Sequence, residues 1–271
     1  MPIKLIVTDL DGTLLNEEKL VSRANIEAFH IARKNGIAAS IATGRMHLAA
    51  AFFGREIGAQ VPVISCNGAM IRSIDTDEKI YEKYIDDDAA AEILAFLIKN
   101  NIYCSWYIGK NRFAPYFSWD MFSGYHTVKN FDLIEVGNNY KAYTKNVTQI
   151  VLRSSTDRLP AYIIQHLQEY FSGAVKLQQN TGYTIDVTPP DINKAVGLKY
   201  LADYLGIAKE DILVFGDGDN DIAMLEYAGI SIATANAIPA AKKAASFITD
   251  DCNNDGVAKG ISKVLSAAFP K

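Results

Sequence analysis

Two patterns of hydrophobic and polar positions share this chain, and the first returns after the second has ended. Ile3 to Thr8 is an apolar, β-branched run of the kind that forms a buried strand. From Ser22 to about Asn35, Ile26, Phe29 and Ala32 recur three apart, which predicts a helix with one buried face. Ser22 caps it and Gly36 stops it, although Asn25 stands where a capping box carries Glu or Gln. Ile37 to Ala42 reads as a second buried strand. The helix after it should turn Ala49, Phe52, Phe53 and Ile57 inward and end at Gly58, and Pro62 to Cys66 reads as a third strand. Alternating strands and helices predict a parallel sheet with right-handed crossovers.

From about Asp77 to Asp186 the chain is richer in Tyr, Asn and Lys. Asp88 to Asn100 predicts a helix with Ile93, Phe96 and Leu97 on its apolar face. Arg158 to Phe171 predicts another, with Ile163, Leu167, Tyr170 and Phe171. Ile102 to Ile108, Gln149 to Arg153, Val175 to Gln178 and Thr184 to Val187 read as strands polar enough for a sheet with one face open to a cleft. Asn111 to Asn146 shows no clear period, and an extended helix–loop segment is expected there. After the stiff junction Thr188-Pro189-Pro190 the first pattern resumes. It gives a helix with Val196, Leu198, Leu201 and Leu205, the apolar strand Ile212 to Phe215, a short helix with Ile222, Met224 and Leu225, a strand from Gly229 to Ala233, and a helix from Gly256 to Ala268. The expected organisation is α/β: a Rossmann-like parallel-sheet core made by residues 1–82 and 188–271, with an inserted α/β cap domain at 83–187.

Composition narrows the function. A net charge of -4 carries no basic excess and points away from nucleic acid. No apolar run is long enough to span a bilayer, and no signal peptide is expected. Cys66, Cys104 and Cys252 are odd in number and far apart, which argues against a disulfide framework or a zinc site and for a reducing, cytoplasmic setting.

The chemistry gathers where core strands end. Asp9 and Asp11 close the first strand, with Gly12 turning the chain away; Thr43-Gly44 closes the second; Lys194 opens a helix; Asp217, Asn220 and Asp221 follow the late strand. A parallel sheet brings such loops to one edge. Two carboxylates roughly 4 Å apart repel by about 4 kcal/mol at an effective dielectric near 20, so the cluster calls for a cation. Oxygen donors without His or Cys favour Mg²⁺. A metal, Lys194, the Thr43 hydroxyl and the Gly44 amide suit a phosphoryl group, with Asp9 as nucleophile and Asp11 as acid and base. The bland alternatives are a strand–helix turn at Thr43-Gly44, a solvated Lys194 and a calcium loop at Gly216 to Asp221, although that loop has the wrong glycine order and no closing Glu.

Asp9-Leu10-Asp11-Gly12-Thr13, Thr43-Gly44-Arg45, Lys194 and Gly216-Asp217-Gly218-Asp219-Asn220-Asp221, in this order, resemble the four motifs of haloacid dehalogenase superfamily phosphatases. The large insertion before Lys194, together with Cys66-Asn67-Gly68-Ala69, is similar to the Cof-type branch, subfamily IIB. The resemblance implies Asp9 as nucleophile and Mg²⁺ ligand, Asp11 as acid/base and ligand through its backbone carbonyl, and Asp217 completing the metal shell. It implies that Asn220 and Lys194, with Thr43, Gly44 and the backbone of Leu10, contact phosphate or hold the nucleophile, while Asp221 stands behind them; Arg45, at a helix start beside the phosphate loop, is expected either to bind substrate or to pair with a carboxylate from behind. Ala195 departs from the glycine that often follows the lysine in that branch. The expected protein is a Mg²⁺-dependent phosphatase of small phosphorylated metabolites, sugar phosphates foremost, working through an aspartyl-phosphate as a monomer or weak homodimer. Its cap would close over the substrate and exclude water. The rivals are a phosphosugar mutase and a non-catalytic phosphometabolite-binding protein.

Overall fold

The computed structural model describes residues 3–118, 133–154, 158–181 and 183–268. The chain opens with β1 (Leu5–Thr8), α1 (Arg23–Lys34), β2 (Ala38–Ile41), α2 (His47–Glu56) and β3 (Val63–Ser65). The short strands β4 (Met70–Arg72) and β5 (Lys79–Glu82) follow. Next come α3 (Asp87–Lys99), β6 (Cys104–Ile108), β7 (Asn111–Ala114), β8 (Leu133–Glu135), β9 (Gln149–Arg153), α4 (Ala161–Tyr170), β10 (Lys176–Thr181) and β11 (Thr184–Thr188). The last stretch holds α5 (Lys194–Leu205), β12 (Ile212–Gly216), α6 (Ile222–Tyr227), β13 (Ile230–Ala233), α7 (Pro239–Ala244), β14 (Phe247–Ile248) and α8 (Gly256–Ala268).

Two compact units result. One is Met1–Tyr81 with Asn193–Lys271, the other Glu82–Ile192. The second boundary falls at Ile192 rather than Val187, because Thr188 still pairs with Lys176 in the β10–β11 hairpin and keeps the two prolines with that unit.

In the first unit a five-stranded sheet runs β14-β13-β12-β1-β2, parallel throughout. Leu5, Ile6 and Val7 on β1 are fully buried, as a central parallel strand requires. β3 touches β2 through a single parallel bridge, Ala42 to Ile64, and otherwise belongs to a small sheet in which it runs antiparallel to β4. The incomplete capping box of α1 has a reason. Ser22 Oγ accepts from the Asn25 amide, but the Asn25 side chain is buried and used elsewhere, donating to Leu14 O and accepting from Ala258 N. Phe52 does not turn inward. It is 39% exposed and meets Phe53 edge-on, while Phe53 itself turns inward as expected, with Ala49, Ala50 and Ala51.

In the second unit the sheet order is β10-β11-β9-β6-β7-β8. Asn111–Ala114 and Leu133–Glu135 are strands where a helix–loop segment was expected, and Gly137–Tyr143 forms a 3₁₀ helix; residues 119–132 of that stretch, Trp119 and His126 among them, lie outside the described residues. Trp106, Phe113, Ile150, Leu152, Ile185 and Val187 meet Ile93, Leu97, Ile163 and Leu167 of the helices in one core. Tyr170 is 76% exposed, because α4 ends there and only Ile163 and Leu167 lie on its buried stripe. The alternate strand positions are polar, as expected, but they are not open: Ser105, Gln149 and Asp186 are buried, and Arg112 Nη2 donates to Ser105 Oγ at 3.1 Å.

Candidate active site

The register of the parallel sheet brings Thr8 beside Phe215, so the residues after β1 and β12 emerge together. The Asp9 amide extends the ladder by donating to Phe215 O at 3.0 Å, and its side chain lies buried beyond the strand end. Lys194, the first residue of α5, is one of the largest fully buried side chains of the protein. Its Nζ lies 2.6 Å from Asp9 Oδ1 and 2.6 Å from Asp221 Oδ1. The lysine therefore joins a carboxylate at position 9 to one at position 221.

Local structure fixes that lysine. Asn193 Oδ1 accepts from Val196 N and caps α5. The turn Cys66-Asn67-Gly68 presses on the cap: Gly68 has φ +100°, and a Cβ there would meet Asn193 O at 2.1 Å. A Cβ on Gly197 would meet Ile64 Cγ2 at 2.7 Å. The close approach thus falls at Gly197, and Ala195 needs no glycine's freedom to hold the lysine.

Asp9, Asp217 and Asp221 each offer a carboxylate oxygen within 4.8 Å of the other two. Asp221 is already committed: its Oδ2 accepts from the amides of Asp217 and Gly218, each at 2.9 Å. Asp217 is held from the other side by the Thr13 hydroxyl, which donates to its Oδ1 at 2.8 Å. Three carboxylates against one ammonium leave two negative charges, and the donors are all oxygen. That set fits a hard divalent cation such as Mg²⁺. The electrostatics register the imbalance. Burial, with the charges of Asp221 and Asp217, pushes the Asp9 carboxyl well above the usual range despite Lys194. Burial and Asp221 lift Asp217 to about 6, with the Thr13 hydrogen bond and Lys194 opposing. Burial works to lower the Lys194 pKa, but Asp221 and Asp9 outweigh it and the ammonium stays charged.

Asp11 points elsewhere. Arg45 grips it in a two-point pair, Nε to Oδ2 at 2.7 Å and Nη2 to Oδ1 at 2.6 Å, and Lys19 Nζ adds a contact to Oδ1 at 3.0 Å. Burial would raise its pKa, yet Arg45 and Lys19 hold it at about 2. Thr43 is buried, and its Oγ1 accepts from Arg45 N at 3.1 Å, which leaves the hydroxyl proton to donate. A Cβ on Gly44 would lie 2.9 Å from Asn67 Oδ1, and Asn220 Nδ2 donates to that same oxygen at 3.1 Å. Leu10 is buried, and its carbonyl accepts from Leu15 N at 2.8 Å to close the turn.

The structure therefore groups Asp9, Lys194, Asp217 and Asp221, pairs Asp11 with Arg45, and sets Gly44 and Asn220 around Asn67. Asn67, Thr13 and Lys19 were missed as site residues. Asn67 left a trace in the sequence, as a polar residue before Gly68 at a strand end; it is buried with φ +55°. Lys19 left none, because its approach depends on a left-handed turn, φ +61°, in the loop after β1. His47 is buried on α2 with Nε2 3.5 Å from Asp77, and His166 stacks on Phe96 at 3.8 Å.

A family model for haloacid dehalogenase-like hydrolases matches residues 6–261. YitU of Bacillus subtilis, named a 5-amino-6-(5-phospho-D-ribitylamino)uracil phosphatase, is 27% identical over 272 residues, covering 97% of each chain. YbjI of Escherichia coli, named for the same activity, is 29% identical over 272 residues, covering 100% of this chain and 99% of its own. The crystal structure of a haloacid dehalogenase-like hydrolase from Bacteroides thetaiotaomicron superposes with a TM-score of 0.87 at 26% identity, covering 97% of this chain and 99% of that one. A HAD subclass IIB sugar phosphatase shares the fold, with a TM-score of 0.81 at 24% identity, covering 96% and 98%. With its four motifs in order on this fold, the chain belongs to the haloacid dehalogenase-like hydrolases, in their Cof-type branch, and is a phosphatase.

Proposed function

We propose that the protein is a Mg²⁺-dependent phosphatase of small phosphorylated metabolites, with sugar and sugar-alcohol phosphates the leading class, acting in the cytoplasm as a monomer or weak homodimer. The observation that carries the reading is the buried Asp9–Lys194–Asp221 chain with Asp217 beside it. Asp9, Asp217 and the backbone of Asp11 would hold the ion, which when bound neutralises the carboxylates and the phosphoryl oxygens. Asp9 then stays ionised and attacks phosphorus, forming an aspartyl-phosphate while the leaving alcohol departs. Lys194 keeps the attacking oxygen aimed, and Thr43, Gly44 and Asn220 donate to the equatorial oxygens.

Asp11 protonates the leaving oxygen and then takes a proton from the water that releases phosphate. Because Asp11 sits ionised in the grip of Arg45 and Lys19, it must leave that pair and gain a proton before it can act as the acid. The relatives named as ribitylaminouracil phosphatases support a substrate whose phosphate caps a polyhydroxylated chain. The test is phosphate release from a panel of phosphorylated sugars, sugar alcohols, nucleotides and vitamins, with Mg²⁺ and with chelator. Release that needs Mg²⁺ and vanishes in Asp9→Asn is expected. A wild-type rate in Asp9→Asn, or full activity in chelator, would refute the mechanism, and an isomerised phosphosugar in place of free phosphate would identify a mutase.

A further inference from the structure

The turn that carries Asp11 and rests against Asp217 is fastened by groups far away in the chain. Gly12 has φ +81°, and a Cβ there would lie 2.3 Å from Asp217 Oδ2, so the Gly12 backbone rests directly against that carboxylate. Its carbonyl accepts two hydrogen bonds, from Asn236 Nδ2 at 2.7 Å and from Thr234 Oγ1 at 3.2 Å. Asn236 uses its other end as well: Oδ1 accepts from Cys252 N at 3.0 Å. The same seam recurs beside it, where Asn253 Oδ1 accepts from Glu17 N at 3.0 Å and the Asn25 amide joins Leu14 O to Ala258 N.

Asn236 is exposed, and exposed side-chain hydrogen bonds contribute little to stability once the lost rotamer freedom is counted. What this residue controls is the orientation of one peptide. If the Gly12 carbonyl loses its donors, the turn can rotate. The backbone directly after the acid then shifts against Asp217.

We propose that Asn236, with Thr234 beside it, is a positioning residue for phosphoryl transfer: it holds the Gly12 carbonyl and thereby sets the spacing of Asp11 and Asp217. The inference rests on the phosphatase reading and adds to it a residue outside the four motifs. Small misplacements at a reacting centre are expensive, so Asn236→Ala should lower kcat by about 10- to 100-fold with KM within about threefold. Asn236→Asp separates positioning from mere tethering. It keeps the acceptor for Cys252 N but has no donor for Gly12 O, so positioning makes it as slow as the alanine variant, whereas a structural tether would leave it near wild type.

The assay is para-nitrophenyl phosphate hydrolysis at saturating Mg²⁺, with hydrogen exchange of the segment 9–15 in the metal-free full chain as the second readout. Faster exchange there in both variants is expected, with circular dichroism and thermal midpoint close to wild type. Unchanged exchange, with kcat within about twofold of wild type in both variants, overturns the proposal. A wild-type protein without Mg²⁺-dependent turnover overturns the phosphatase reading instead, and the exchange comparison still decides whether Asn236 holds the turn.

Discussion

Replacing Lys194 by methionine removes a buried ammonium while nearly preserving volume. The structure allows the cost to be estimated. Nζ neutralises Asp9 and Asp221 at 2.6 Å each, and the carboxylate oxygens of Asp9, Asp217 and Asp221 lie within 4.8 Å of one another. At that separation and an effective dielectric near 20, each unscreened carboxylate pair repels by about 3.5 kcal/mol. Summed over the three pairs this exceeds the loss of about 3–5 kcal/mol measured on breaking a buried pair, because a carboxylate relieved of its partner takes up a proton; the measured range is the one expected here. For a chain of this size the thermal midpoint should then fall by roughly 6–20 °C in chelator. The mutant can relieve repulsion by taking up a proton, since the Asp9 carboxyl is already lifted by burial, so the loss should be larger at pH 8 than at pH 5. Mg²⁺ should recover much of it, without recovering turnover. The decisive comparison adds Asp221→Asn, which keeps an acceptor for the Asp217 and Gly218 amides and turns a donor toward Asp9. Thermal unfolding of wild type, single and double variants in EDTA reads the cycle. A single variant within about 1 kcal/mol of wild type, or a double variant less stable than the single, would refute the charge argument.

Three further outcomes follow from the same geometry. Arg45→Met should let the Asp11 pKa climb from about 2 toward its usual value of 3.8, as read by carboxyl ¹³C shifts; since a depressed carboxyl stabilises above its unfolded pKa and loses that contribution as pH falls, the variant should lose stability near neutral pH and little near pH 2. In the metal-free protein the sign is opposite at Asp217: its pKa of about 6 means that the folded state keeps a proton which the unfolded chain releases near 3.8, so stability in EDTA should fall as pH rises from about 4 to 6, and Mg²⁺ should abolish the trend in a thermal-shift series. Gly68→Ala combines a left-handed φ with a 2.1 Å clash against Asn193 O; it should cost about 1–3 kcal/mol in denaturant unfolding and lower kcat by displacing Lys194, and a wild-type kcat would show that the turn does not aim the lysine.

Much of this fold was legible because buried strands carry their signal locally. Leu5 to Val7 and Ile212 to Phe215 are apolar without alternation, and that is what a central parallel strand needs. Polar residues at strand ends disclosed the site for the same reason: topology, rather than contact, dictates that Asp9 and Asp217 share an edge. What escaped depended on relations no local window contains. Phe52 and Phe53 both have the spacing of inward residues, but α2 packs through Phe53 and a run of alanines and leaves the neighbouring ring of Phe52 outside. Asn25 looked like a failed cap because its real partners, Leu14 and Ala258, stand 11 positions before it and 233 after it. Lys19 reaches the site through left-handed backbone, a conformation that a lysine does not advertise.

The order β13-β12-β1-β2 has a bearing on how the protein is made. β1 precedes the other strands of its sheet in the sequence yet lies in the sheet's interior, flanked on one side by a strand that is synthesised about 170 residues after the other. At translation speeds of about 5–20 residues per second, one edge of that nascent hydrophobic strand stands without its partner for roughly 10–30 s. Through that interval the emerging polypeptide offers an open template for intermolecular pairing, so its yield in the cell should track chaperone supply and elongation rate more closely than the stability of the finished enzyme.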